Sequence, residues 1–339
     1  MTFMNPDISV IVSAYNTEAY ITKAIKYTLE QTLENLELIV VDNGSTDPTG
    51  EIARTFSDQR LKVLTNEQNM GVSCGRDCAL REAKGKGIAI LDSDDWFAPQ
   101  RLERLLQIAE AEDVDMIADD LYYIKDGDKL LWSTLITDSG ERIKQIKHIT
   151  PEYFVETELH GKQGLRLGLT KPLIKRDFLL RHGIEYDKNI ELGQDFSFYL
   201  ICLAYDARFI LVPQPYYFYR SSPDSLVTRS QLDRIGQACA TSRYFIEQEI
   251  IQLNSTLVCP LSKRLNVLEK NKHYFHVVDP LKQGKWLMAL WEMIVHPYLF
   301  VHFVQQIPRI AGRWINYYIT KIKPMNNHEF IKIEENYKA

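Results

Sequence analysis

Three carboxylates, Asp92, Asp94 and Asp95, stand within four residues directly behind the apolar run IAIL at 88–91. A short apolar run closed by turn-type residues reads as a strand buried on both faces. The chain therefore leaves its sheet carrying dense negative charge. Like charges this close repel one another and lose hydration, which points to a cation held among them. Asp94, two residues past Asp92, returns to the same side of an extended chain. Taken alone, D-x-D-D has a second reading: a solvated strand-to-helix turn whose Asp caps the helix that begins near Pro99. A fourth carboxylate, Asp195 in GQDFSFYL, opens a helix whose Phe196, Tyr199, Leu200 and Leu203 point inward. Taken alone, it could be merely an N-cap.

The elements that must position these groups follow from the pattern. Apolar strands are expected at 8–13, 36–41, 61–65 and 88–91. Helices are expected between and after them: one capped by Thr17, one opened by Asp47-Pro48, and two at 71–84 and 99–112. Alternating strands and helices predict a parallel sheet with helices on both faces, and such sheets bind ligands beyond the carboxyl ends of their strands. Tyr15, Asn16, Asp42, Asn66 and the Asp92 cluster all follow strands, so one rim would gather them. Further strands are expected at 114–124 and 129–137, joined by a hairpin turn at Lys125-Asp126-Gly127-Asp128. A helix at 150–159, an open loop at 161–168 and a short strand near Leu173 come next. A helix at 195–205, extended segments at 208–212 and 216–219, and helices from about Ser230 onward complete the reading.

Composition sets the boundaries. With 45% hydrophobic and 25% charged residues among 339, the chain is an ordinary globular protein with ample core. A formal net charge of -5 gives no global attraction to nucleic acid. Five cysteines without paired spacing argue against a disulfide framework or a zinc site. The N-terminal MTFMNPD lacks the basic flank and apolar run of a secretory signal, so a cytoplasmic location is expected. The uncharged stretch 293–308 is too short and polar to span a bilayer. Residues 285–323 mix aromatics such as Trp286, Trp291 and Trp314 with Lys285, Arg313 and Lys321. That mixture suits a helix lying peripherally on the inner face of an anionic membrane, and equally a helix packed on the catalytic domain or on a second subunit of a homodimer.

Five segments in order, VIVSAYN (10–16), LELIVVDNGSTD (36–47), NMGVSCGRDCAL (69–80), ILDSDDWF (90–97) and ELGQDFSFYL (191–200), resemble the motifs of the family 2 glycosyltransferases. The resemblance implies a GT-A fold, a Rossmann-like mostly parallel sheet with helices on both faces. Its catalytic domain would occupy 1–228, with a nucleotide-binding half at 1–124 and an acceptor-binding half at 125–228, ahead of a helical C-terminal region at 229–339. It implies a nucleotide-sugar donor, Mn²⁺ or Mg²⁺, and inverting transfer to a hydroxyl of a glycan or lipid-linked acceptor. By the same resemblance Asp94 would hold the metal, and Asp92 with Ser93 would face the ribose or metal-bound water. Asp42 would accept the imide N–H of uracil or thymine, Tyr15 would stack on that base, and Arg76 would lie near the nucleotide. Asp195 would be the general base, while Asp95 has the weakest claim, as a helix cap.

The family often has Asp where this chain has Asn43, and Glu where it has Gln194. Tyr219-Arg220, followed by Ser225 and Thr228, resembles a downstream segment whose Arg would contact diphosphate or acceptor. Processive members carry Q-x-x-R-W, and Arg313-Trp314 lacks the Gln, so a non-processive enzyme is expected. Two alternatives stand beside it. A sugar nucleotidyltransferase should show a glycine-rich phosphate loop after its first strand, where SAYNTEAY has none. A non-catalytic nucleotide-sugar-binding module of the same fold would have no need of Asp42, Asp92, Asp94 and Asp195 together.

Overall fold

The computed structural model describes residues 5–126, 131–159, 164–221, 231–295 and 297. Its strands are β1 (Ile8–Ala14), β2 (Leu36–Asn43), β3 (Leu61–Asn66), β4 (Gly87–Asp92), β5 (Trp96–Phe97), β6 (Met116–Lys125), β7 (Leu131–Thr134), β8 (Lys147–Ile149), β9 (Leu173–Lys175) and β10 (Phe209–Ser221). They share one sheet in the order β3-β2-β1-β4-β9-β6-β10-β5, with β7 against β6 and β8 against β10. Val10, Val12, Leu38, Val40, Ile88 and Ile90 are all buried. These runs are apolar without alternation because helices cover both faces of the sheet.

Register puts the strand ends level. β1 lies parallel between β2 and β4, with Ala14 beside Asp42 and Ser13 beside Asp92, and β2 ends with Asn43 beside Asn66 of β3. β9 runs antiparallel between β4 and β6. A reversed strand in the middle of a parallel set brings its N-terminal end to the rim where its neighbours end. Leu173 pairs with Ala89, so Lys171, two residues upstream, comes level with the end of β4.

Several local expectations change. The two extended segments expected at 208–212 and 216–219 are one strand, β10, whose register against β6 shifts on either side of Pro215. Proline cannot donate to the ladder, and the strand bulges around the two prolines instead of ending. The strand expected at 129–137 stops at Thr134, whose hydroxyl accepts the Thr137 amide and caps the short helix Leu135–Ser139. Thr17 does not cap with its side chain: its carbonyl accepts the amides of Tyr20 and Ile21 ahead of the helix Ile21–Leu29. Asp47 does act at its helix start, accepting the Thr49 amide at 3.0 Å. Gly127 and Asp128 of the expected hairpin turn, the loop start at 161–163, and Ser225 and Thr228 lie outside the described residues.

Beyond residue 230 the chain is helical through Gln231–Glu247, Glu249–Leu253, Ser255–Lys282 and Trp286–Val295. Phe245, Ile251, Leu257 and Leu261 join the main core, and the Arg264 guanidinium stacks 4.3 Å over the Phe196 ring. The C-terminal helices thus brace the segment that carries Asp195. The expected membrane stretch 285–323 falls largely outside the described residues.

Candidate active site

Asp92 and Asp195 are gripped by the same two cations. Arg76 donates through Nη2 to Asp92 Oδ1 and through Nη1 to Asp195 Oδ1, each at 2.6 Å. Lys171 Nζ donates to Asp195 Oδ2 at 2.6 Å and lies 3.1 Å from Asp92 Oδ2. The result is a closed ring of two anions and two cations with no net charge. Its cations form the floor, each 4% exposed, while Asp92 and Asp195 reach outward at 29% and 16%. Burial works against the Asp92 charge, yet Lys171 and Arg76 outweigh it and hold the carboxyl down at about 2. Burial likewise opposes the Lys171 charge, and Asp195 and Asp92 hold its ammonium above the ordinary lysine value nonetheless.

Local backbone chemistry explains how distant residues meet here. A Cβ on Gly75 would come within 2.1 Å of Ser13 Oγ. Only glycine therefore lets the helix Gly71–Glu82 lie so close on β1, which brings Arg76 under the end of β4. Gly193, at φ +79°, turns the chain into the helix Gln194–Ala204. Asp195 then falls in the first turn, where the helix dipole favours a negative charge. Its carboxylate engages Arg76 and Lys171 and is not an N-cap.

Asp94 and Asp95 part company. Asp95 is 1% exposed. Its Oδ2 accepts the Tyr217 hydroxyl and its Oδ1 the Arg220 amide, both at 2.7 Å, so the expected cap is instead a buried tie from the acidic loop to β10. Burial, reinforced by Asp94 and Asp92, pushes its carboxyl well above the usual range. Arg220 continues the tie: Nε donates to the Asp94 carbonyl at 2.9 Å, Nη1 to Asp126 at 3.0 Å, and the guanidinium stacks on Tyr20 and Trp96. Asp94 makes no ion pair among the described residues. Burial, with Asp92 close by, pushes its carboxyl up to about 6.

On the β2 side, Asp42 is 7% exposed and its Oδ1 accepts the Ser45 amide at 3.1 Å. Tyr15 stands 42% exposed just past β1, and Ser93 is buried between Asp92 and Asp94. Asn43, where the family pattern often has Asp, donates its amide to Asn69 Oδ1 and to the Gly71 carbonyl and accepts from Asn66. Aspartate cannot donate. The amide is what ties the ends of β2 and β3 to the helix that carries Arg76. Shallow concavities lined by Glu141 and Lys147, and by Gln145 and Val212, lie at the opposite end of β10 from the carboxylates.

Residues 9–167 match the family model described as Glycosyl transferase family 2. That span, just under half of the chain, is a family 2 glycosyltransferase domain. This glycosyltransferase is 26% identical over 316 residues to the succinoglycan biosynthesis protein ExoO of Rhizobium meliloti, covering 92% of this chain and 89% of that one. Its fold is that of S. aureus TarS 1-349 in complex with UDP-GlcNAc, with a TM-score of 0.61 at 20% identity over 84% of this chain and 79% of that one. It is also that of the mannosyltransferase PcManGT from Pyrobaculum calidifontis in complex with GDP-Man and Mn²⁺, with a TM-score of 0.54 at 19% identity over 95% and 82% of the two chains. The fold class expected from the motifs is thus the one found.

The glycosyltransferase's ring contains one residue that reading the sequence passed over. Lys171 was hidden because strand direction decides which end of a short strand meets the rim, and LIK does not reveal its direction. The signal was there in Thr170-Lys171-Pro172: proline holds the residue before it extended, so a lysine at that place projects from the strand's entry.

Proposed function

We propose that this chain is a non-processive inverting glycosyltransferase that moves a sugar from a UDP- or dTDP-sugar to a hydroxyl of a glycan or lipid-linked acceptor. The observation that carries the reading is the ring: Asp195 shares both of its cationic partners with Asp92 of the D-x-D loop. Inverting displacement needs one carboxylate to take the acceptor proton beside the donor's anomeric carbon, and Asp195 is that carboxylate. Asp42 and Tyr15, past the ends of β2 and β1, receive the pyrimidine base. Asp92 and Ser93 line the path of the ribose and diphosphate, with Arg76 beneath Asp92 near the nucleotide. Arg220, committed to Asp94 and Asp126, shapes the loop.

A divalent cation fits the donor set in a particular way. Both Asp92 oxygens are engaged by Arg76 and Lys171, and both Asp95 oxygens by β10. Among the described residues Asp94 is the one carboxylate of the loop left without an ion pair, and no group of three ligating side chains exists there. Mg²⁺ and Mn²⁺ characteristically take one or two carboxylates with phosphate oxygens and water. Asp94 would therefore hold the ion together with the diphosphate, and the ion would neutralise charge growing on the leaving group.

Mn²⁺ alone is expected to leave the melting temperature unchanged in a thermal-shift panel of UDP, dTDP, GDP and CDP. One pyrimidine diphosphate with Mn²⁺ should raise it, and Asp94→Asn should remove the metal-dependent part. A shift from Mn²⁺ without nucleotide, or one indifferent to Asp94→Asn, would sink the assignment.

The helix Trp286–Val295 exposes Trp286 at 63% and Trp291 at 66%, flanked by Leu287, Met288 and Ile294. No helix among the described residues is long and apolar enough to cross a membrane. Such a face suits shallow contact with a lipid surface, where an acceptor on a lipid carrier would be found. Full-length protein should float with anionic liposomes. The double variant Trp286→Glu/Trp291→Glu should bind them at least about tenfold more weakly; equal flotation of both proteins would remove the lipid contact.

A further inference from the structure

We propose that Lys171 is a positioning residue for transfer, locking Asp195 and Asp92 into one rigid unit so that the proton acceptor keeps a fixed place relative to the donor-contacting carboxylate. The inference rests on the reading of Asp195 as that acceptor. Its basis is how the four bonds are distributed. Arg76 takes Oδ1 of both carboxylates and Lys171 takes Oδ2 of both. The terminal torsion of Asp is broad when one oxygen is held. With both oxygens held from behind, the plane of each carboxylate is set, and the unshared lone pairs are the ones left to face the cleft.

Lys171 is itself held at both ends. Its carbonyl accepts Arg101 Nη2, and the neighbouring Thr170 carbonyl accepts the Tyr199 hydroxyl at 3.0 Å. Pro172 restricts its backbone, and the side chain is 4% exposed. Such a lysine is built to hold still. Its ammonium is turned to protein carboxylates, so the structure separates it from a residue whose first duty is to meet substrate.

Removing Lys171 has two separable consequences. Among the described residues Asp195 keeps only its Oδ1 bond to Arg76 and regains rotation. The ring also changes from neutral to one net negative charge, beside Asp94. The first consequence acts on the chemical step and the second on the approach of an anionic donor. Lys171→Met causes both, whereas Lys171→Arg keeps the charge and alters only the geometry.

The test follows UDP release from UDP-glucose, UDP-galactose and UDP-N-acetylglucosamine with Mn²⁺, using full-length wild type, Lys171→Met, Lys171→Arg and Asp195→Asn. UDP dissociation by calorimetry and crystal structures of both Lys171 variants accompany it. Lys171→Met should lower kcat about 100-fold, the scale of a small misplacement of a reacting group. Lys171→Arg should recover roughly tenfold of that with UDP affinity near wild type, and the Asp195 carboxylate should be turned from its wild-type plane in Lys171→Met. Where Lys171→Met does not fold, Lys171→Arg decides, by lowered kcat at unchanged UDP affinity and a displaced Asp195.

Wild-type kcat with an unmoved Asp195 overturns the proposal. So does a loss of UDP affinity in Lys171→Arg as large as the loss of kcat, which would make the lysine a donor ligand. Asp195→Asn keeps the two failures apart: full turnover there removes the proton-acceptor reading, whereas loss there without loss in the Lys171 variants removes the positioning role alone.

Discussion

Asp195→Asn is expected to lower sugar transfer by roughly 10²–10⁴-fold, the usual worth of a positioned general base. The substitution is isosteric, so the helix Gln194–Ala204 and its braces at Phe196 and Tyr199 stay in place. What changes is chemical. An amide takes no proton from an acceptor hydroxyl at neutral pH, and it offers one oxygen where Arg76 and Lys171 now find two. The ring would pass from neutral to one net positive charge. That favours an anionic diphosphate, so UDP affinity should hold or improve while turnover collapses. Saturating-donor kcat, measured beside UDP calorimetry, reads both quantities. Retained turnover would strip Asp195 of its role. Joint loss of turnover and UDP binding would move it from the acceptor side of the reaction to the donor side.

Much of this arrangement was legible in the sequence, and the reason is specific. ISVIVSA, LELIVVDN and GIAILD are buried on both faces, and each ends in or is followed directly by polar residues that a parallel sheet must deliver to one rim. Strand ends could therefore be read as site positions before any contact was known. Asp42, Asp92 and the loop behind Asp92 needed only that rule to be placed, whereas Asp195 needed the resemblance of ELGQDFSFYL to a family motif, because a helix start after glycine reads equally as an N-cap. The unread part depends on directions and partners. Whether β9 runs with or against β4 cannot be taken from three residues, and Lys171 turns on it. The bulges at Pro213 and Pro215 keep β10 continuous because β6 pairs with it on both sides of the irregularity. Proline by itself announces a break. Asp95 looked like a cap because capping is the local use of Asp after a strand. Its actual partners, Tyr217 and Arg220, come from over a hundred residues away.

Arg101→Met is expected to destabilise the fold by about 3–5 kcal/mol, the cost of leaving one half of a buried ion pair behind. Arg101 is 0% and Asp119 1% exposed. Arg101 Nε lies 3.1 Å from both Asp119 oxygens, Nη2 lies 2.7 Å from Oδ1, and the guanidinium is stacked 4.4 Å from the Phe97 ring centre. Methionine would fill the stacked space, but among the described residues Asp119 would keep only the Tyr216 amide. Such a carboxylate cannot stay charged cheaply in the core. Adding Asp119→Asn removes that charge while still accepting from Tyr216, so the double variant should regain a large part of the lost stability. Chemical denaturation of the two proteins measures the difference. Arg101 also donates to the Lys171 carbonyl, so the double variant, though refolded, should still transfer sugar more slowly than wild type. Equal denaturation midpoints for wild type and Arg101→Met would show that this pair, though buried, does not hold the sheet to its helix.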